Sequence, residues 1–179
     1  MKSSKENSRF LSLVLRHQPE VIGITLSQDG WADIDELIEK SRSKNIILTH
    51  DSIMEIVKTS DKQRFKVSED GCRIRANQGH SISVDIGLSE QIPPETLFHG
   101  TADRFIQSIR EEGLRPGSRQ HVHLSVDQAT AMKVGARHGK PIVMTIRSGA
   151  MHRDGSIFFR SENGVWLVQH VPVKYLDIP

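Results

Sequence analysis

The chain has 179 residues, a formal net charge of +2 and one cysteine, Cys72. That length can bury a real core, as one domain or two small ones, and a lone cysteine excludes an internal disulfide framework. With no membrane-length apolar run and no apolar signal segment, the sequence predicts a soluble cytoplasmic protein, and its near-balanced charge argues against nonspecific coating of polyanions.

The charge is unevenly distributed. Residues 1–92 carry 13 Lys+Arg against 14 Asp+Glu, whereas residues 93–179 carry 11 against 8, and eight of those eleven cations are Arg. Arginine offers a planar fork for phosphate, so the bias fits phosphate gripped at discrete points.

Residues 5–17 (KENSRFLSLVLRH) place Phe10, Leu11, Val14 and Leu15 on one helical face, and Pro19 stops the helix just after Arg16-His17. A cationic pair there also suits the helix dipole, which is the purely structural reading of Arg16 and His17. Asp29-Gly30 reads as a turn and Trp31 as a buried anchor, and residues 33–41 read as an amphipathic helix with an acidic first turn. A third helix begins near Thr49, capped by Thr49 or Asp51, and runs through Ile53, Ile56 and Val57. The alternating segments 63–67 and 72–76, joined by Ser68-Glu69-Asp70-Gly71, predict a hairpin carrying Arg64, Arg73 and Arg75. Three helices followed by a hairpin is the order of a winged helix. The exit Asn77-Gln78-Gly79-His80-Ser81 is rich in hydrogen-bonding groups, and its glycine lets the backbone approach a ligand.

After a strand near Val84 and Ile86, the stiff joint Gln91-Ile92-Pro93-Pro94 marks the expected domain boundary, dividing the chain into 1–92 and 93–179. Beyond it come short strands (ETLFHG, HVHLS, PIVMTIR, SIFFRS, GVWLVQHV) and two helices (ADRFIQSIREEG, SVDQATAMKVGARHG), with Gly113 and Gly139 as C-caps. This half reads as α+β with a substantial sheet. Within it, His99-Gly100-Thr101 reads as a polar elbow. Period-two alternation sets His121 and His123 on one strand face, with Arg119 just before them. Such histidines can be structural, and an HxH pair can chelate a metal, but zinc would need further ligands and Cys72 has no CxxC partner.

LSLVLRH, the later GW, KQRFKV, RANQGHS, FHGT, RQHVHLS, GARHGKP and NGVWL stand in the order found in the RNA 2′-phosphotransferase family of the Tpt1/KptA type. The chain resembles that family almost throughout, from Phe10 to Leu176. The resemblance implies an N-terminal winged-helix RNA-binding lobe (1–92) and a C-terminal, NAD-binding lobe of ADP-ribosyltransferase fold with a mixed sheet (93–179). It implies transfer of an internal RNA 2′-phosphate, as left at a tRNA splice junction, to NAD without a metal. The intermediate is ADP-ribosylated RNA, and the products are nicotinamide, 2′-OH RNA and ADP-ribose 1″,2″-cyclic phosphate.

The family's essential Arg-His-Arg-Arg set falls on Arg16, His17, Arg64 and Arg119. The three guanidinium groups would clamp the 2′-phosphate oxygens. His17 would act either as the base for the ribose O2″ proton or as a further phosphate contact. By the same resemblance, His99, Gly100 and Thr101 contact NAD, and His121, His123 and Ser125 also belong to the cofactor-binding set. The third position of the superfamily's triad, often Glu, is apolar here, at Val165. Phe158 or Phe159 would stack on nicotinamide, or else lie in the core. Asn77, Gln78 and His80 would approach the RNA. The competing readings are an ADP-ribosyltransferase acting on a protein or on terminal nucleic-acid phosphates, and a winged-helix binding module with a degenerate second domain. A monomer is expected.

Overall fold

The computed structural model describes residues 4–60 and 62–179. Among them, six α-helices and nine short strands make a mixed α/β architecture with three small antiparallel sheets. The chain divides into two compact units, Met1–Gly87 and Leu88–Pro179. Among the described residues, no helix is long and apolar enough to cross a membrane.

In order, the first unit holds α1 (Ser4–Arg16), β1 (Ala32–Asp33), α2 (Ile34–Ser41), α3 (His50–Thr59), β2 (Phe65–Val67) and β3 (Arg73–Ala76). The apolar stripe of α1 is buried as its spacing requires: Leu11, Val14 and Leu15 are fully covered and Phe10 nearly so. Each such side chain stabilises the unit by roughly 1.5–3 kcal/mol. The Asp33 carboxylate caps α2 by accepting the Glu36 N–H at 2.9 Å. Of the two candidate caps for α3, Thr49 is the one used. It forms a reciprocal box in which Thr49 Oγ1 accepts from Ser52 N–H and Ser52 Oγ accepts from Thr49 N–H.

The expected hairpin forms, with β3 pairing antiparallel to both β2 and β1. Two expectations fail in this unit. Trp31 is half-buried rather than a core anchor; the Arg75 and Arg73 guanidinium groups lie 4.7 and 5.6 Å from its ring centroid and cover the face. Residues around Val84 and Ile86 form no strand. Their alternation is real, because Val84 and Ile86 both turn toward Gly30, and Asp85 N–H donates to Gln28 O, but the stretch joins no sheet.

The second unit holds, in order, β4 (Leu97–Ala102), α4 (Ile106–Glu112), β5 (Val122–Leu124), α5 (Gln128–Gly135), β6 (Pro141–Ile146), α6 (Ser148–Arg153), β7 (Phe158–Arg160), β8 (Trp166–Val168) and β9 (Leu176–Asp177). Two sheets, ordered β4-β6-β9 and β5-β8-β7, are tied where Phe98 and Ser125 exchange backbone hydrogen bonds at 2.8 Å each way. Leu97, Leu124, Met144, Ile146, Met151 and Phe158 are fully buried in this unit's core.

Three details depart from the sequence reading. His99-Gly100-Thr101 is not an elbow: all three lie inside β4, paired with Met144, Val143 and Ile142 of β6. The helix expected from Ala102 starts with a 3-10 turn over Asp103–Phe105, although Gly113 does cap α4 with a φ of 77°. Gly139 caps nothing, since α5 ends at Gly135 with Ala136 as its C-cap. The termination matches close packing, because a Cβ on Gly135 would lie 2.6 Å from the Thr101 carbonyl oxygen.

The last strand is fastened by polar contacts. The buried Tyr175 donates its hydroxyl to Asp154 Oδ2, and Lys174 Nζ lies 3.7 Å from the same oxygen. Together these hold the Asp154 carboxyl below the usual carboxylate range, the tyrosine bond contributing most. Arg147 donates to the Lys174 carbonyl and stands 3.9 Å from Asp177.

Candidate active site

In the first unit, the five-residue stretch Asn77–Ser81 wraps the end of α1. Ser81 N–H donates to the Arg16 carbonyl at 2.9 Å, and Ser81 Oγ lies 2.9 Å from His17 Nδ1. Gly79, with φ of 90°, runs so close to Arg16 that an added Cβ would sit 3.5 Å from Nη1. Arg16 Nη2 donates to the Arg64 carbonyl at 3.4 Å, and Asn77 N–H donates to the same oxygen at 2.9 Å. The Arg16 guanidinium also lies 5.9 Å from the Phe65 ring. Arg16 and His17 therefore meet the backbone of the sequence-distant Arg64 on one loop.

Two of the three residues expected at the RNA are covered in this structure: Asn77 and His80 are 7% and 2% exposed. Asn77 Nδ2 donates to Gln63 O at 2.6 Å and anchors the loop. His80 lies against Gly30, and its Nε2 has no hydrogen-bond partner among the described residues. Burial first, then the charges of Arg16, His17 and Arg75, push its pKa down to about 4. His80 is thus neutral at pH 7 in a cationic neighbourhood. Gln78 remains partly exposed.

In the second unit, His99 Nδ1 is 3.0 Å from the His123 carbonyl oxygen. A carbonyl only accepts, so Nδ1 carries the proton and Nε2 is an acceptor in the neutral ring. Burial lowers the His99 pKa; the bond to His123 opposes that effect, and the Arg119 charge reinforces it. Arg119 Nη1 lies 3.4 Å from His123 Nδ1, and a guanidinium only donates, so that nitrogen accepts. Burial, then the nearby Arg137 charge, lowers the Arg119 pKa. Arg137, in GARHGKP just after α5, was not singled out from the sequence. The signal for it is only that a second arginine follows a glycine packed on β4.

His123 and Phe159 both pair with Leu167, so they share one sheet face. His121 sits one residue before β5 and meets Phe159 edge-on at 5.6 Å, and burial lowers its pKa. Of the two phenylalanines, Phe158 is core at 1% exposed, while Phe159 is partly exposed beside His121. Thr101 is buried in β4, and Ser125 is partly buried where it bridges to Phe98. Gly100 is required by packing, because its Cβ would stand 1.7 Å from the Ala131 carbonyl oxygen of α5. Val165 precedes β8 and exchanges hydrogen bonds with Ser161.

Chemically, this face offers a guanidinium, a neutral imidazole acceptor and an aromatic edge. Such a set suits an anionic ligand that also carries hydroxyl groups and a planar ring. Among the described residues, no three His, Cys, Asp or Glu side chains gather as a metal site would require.

The family model described as RNA 2′-phosphotransferase, Tpt1 / KptA family, matches residues 2–170. A probable RNA 2′-phosphotransferase of Rhodopirellula baltica is 55% identical over 183 residues, covering 100% of both chains. The protein of the same name from Flavobacterium johnsoniae is 54% identical over 174 residues, covering 97% of this chain and 96% of its own. One from Escherichia coli O6:K15:H31 is 51% identical over 177 residues, covering 98% and 96%. With half the residues shared from end to end, and arginines and histidines gathered on the elements that carry the matching motifs, the chain belongs to the Tpt1/KptA family of RNA 2′-phosphotransferases.

Proposed function

We propose that the protein is a transferase that removes an internal 2′-phosphate from RNA, with NAD as co-substrate. Residues 1–92, which take in the first unit, are read as a winged-helix RNA-binding lobe, and residues 93–179, within the second, as an NAD-binding lobe of ADP-ribosyltransferase type. The observation that carries this reading is the gathering of Arg16, His17 and the backbone of Arg64 on the Asn77–Ser81 loop. The residues of the second unit fit a dinucleotide. His99 Nε2 accepts from a ribose hydroxyl, Phe159 offers its ring to nicotinamide, and Arg119 supplies a charge for phosphate.

In the first step a 2′-phosphate oxygen bonds to C1″ of the nicotinamide riboside, and the bond from C1″ to the ring nitrogen breaks. Nicotinamide departs neutral with the electron pair. A phosphate is already a nucleophile, so the protein's contribution here is positioning. In the second step the ribose O2″ bonds to phosphorus and the bond to the RNA 2′-oxygen breaks. The O2″ proton passes to His17 and the RNA oxygen regains one, giving 2′-OH RNA and ADP-ribose 1″,2″-cyclic phosphate. By the family resemblance, Arg16, Arg64 and Arg119 supply the guanidinium charge for the transferred phosphate.

The test is incubation of the protein with NAD and a short RNA bearing one internal 2′-phosphate. Release of nicotinamide with ADP-ribose cyclic phosphate is expected. An ADP-ribosylated product that never resolves supports instead the ADP-ribosyltransferase alternative, and binding without nicotinamide release overturns both.

A further inference from the structure

The first unit places Ser81 at two points of the α1 terminus: its N–H on the Arg16 carbonyl at 2.9 Å and its Oγ 2.9 Å from His17 Nδ1. A serine hydroxyl can donate to an imidazole nitrogen or accept from it, and the direction decides what the rest of the ring can do. If Ser81 donates, Nε2 carries the ring proton, and His17 is limited to donating toward a phosphate. If Ser81 accepts, Nε2 holds the lone pair, and His17 is equipped to take a proton. Ser81 is exposed, so its own hydroxyl proton has solvent to donate to while Oγ accepts. The backbone bond to Arg16 fixes the serine from its other side, so the oxygen is preplaced for Nδ1–H.

We infer that Ser81 is a positioning residue for His17: its Oγ accepts from Nδ1–H and thereby makes Nε2 the proton-accepting atom. The segment Asn77–Ser81 then acts as a clasp on the charged end of α1. Asn77 is tied to Gln63 and Arg64, Gly79 runs along the Arg16 guanidinium, and Ser81 sets the imidazole. The catalytic consequence rests on the role given to His17 above, whereas the tautomer does not.

Two measurements on the full chain separate these claims. Long-range nitrogen–proton NMR of the protein labelled at histidine nitrogen, at a pH where His17 is neutral, identifies the protonated nitrogen directly. The parent is expected to show Nδ1–H, Ser81→Ala to shift His17 toward Nε2–H, and Ser81→Thr to restore the parent pattern. A parent already in the Nε2–H form, or a tautomer unmoved by Ser81→Ala, overturns the inference. In single-turnover assays with NAD and 2′-phosphorylated RNA, Ser81→Ala should let the ADP-ribosylated RNA accumulate. Its resolution should slow by about tenfold, the rate equivalent of one lost hydrogen bond, with the first step little changed and Ser81→Thr recovering the rate. If the tautomer shifts as expected while both steps slow alike, the positioning by Ser81 stands and the base role of His17 falls.

Discussion

Replacing Gly100 by alanine separates a packing role from a ligand role at the centre of the second unit. The new Cβ would lie 1.7 Å from the Ala131 carbonyl oxygen, half the distance at which ordinary contacts begin, with the Ala131 carbonyl carbon at 2.5 Å and the Gly135 nitrogen at 3.0 Å. All three neighbours are backbone, so no rotamer change relieves the clash, and α5 must lift off β4. Overpacking typically costs about 1–3 kcal/mol, and a backbone-on-backbone collision belongs at about 3 kcal/mol or above. For a unit of this size each kcal/mol lowers the melting midpoint by about 4–8 °C, so a fall of at least about 12 °C is expected. Calorimetry, with Trp166 fluorescence reporting on the same unit, measures it. A midpoint within about 2 °C of the parent would refute the reasoning, given that scale. If such a variant then failed only to bind NAD, the glycine would be serving the ligand and not the helix.

Arg119→Lys is expected to slow turnover nearly as much as Arg119→Ala, because an ammonium lacks the planar fork that meets His123 and that the proposed reaction would set on phosphate; a lysine variant with near-parent turnover contradicts this. The His80 pKa is depressed to about 4 from 6.5, so the unfolded chain binds more protons between those values. The resulting stability is complete above about pH 6.5 and is lost as pH falls toward 4, amounting to about 3 kcal/mol. Urea titrations at pH 7 and 4.5 should show His80→Gln losing less stability than the parent over that interval; equal losses would remove His80 as the cause. Thr49→Ala should cost about 1 kcal/mol in denaturant unfolding by breaking the capping box, whereas Asp51→Ala should cost less. Equal costs would count against the box.

Periodicity made much of the first unit legible. The stripe on α1, the caps at Asp33 and Thr49, and the hairpin are local patterns with local causes. The errors arise where distant chain decides the outcome. A glycine flanked by polar residues reads as a turn, yet Gly100 is strand because β6 pairs with it and α5 presses on it. Val84 and Ile86 alternate as a strand would, but their apolar sides are spent on Gly30 without a ladder. Asn77 and His80 look like ligand contacts because they are polar, and only the fold reveals that they are buried. Arg16, His17, Arg64 and the Asn77–Ser81 segment could all be picked out by motif, but the contacts that join them could not. Hydrogen bonds from Ser81 and Asn77 to carbonyls elsewhere leave no periodic trace in a sequence.

The strand Leu176–Asp177 occupies one side of β6, whose other side is taken by β4. Shortening the polypeptide to before Leu176 would leave Thr145 and Ile146 at the end of β6 without their antiparallel partners, an invitation to edge-to-edge association with another copy. Purification handles are therefore better fused ahead of α1, and preparations nicked by carboxypeptidase should aggregate long before they stop turning over.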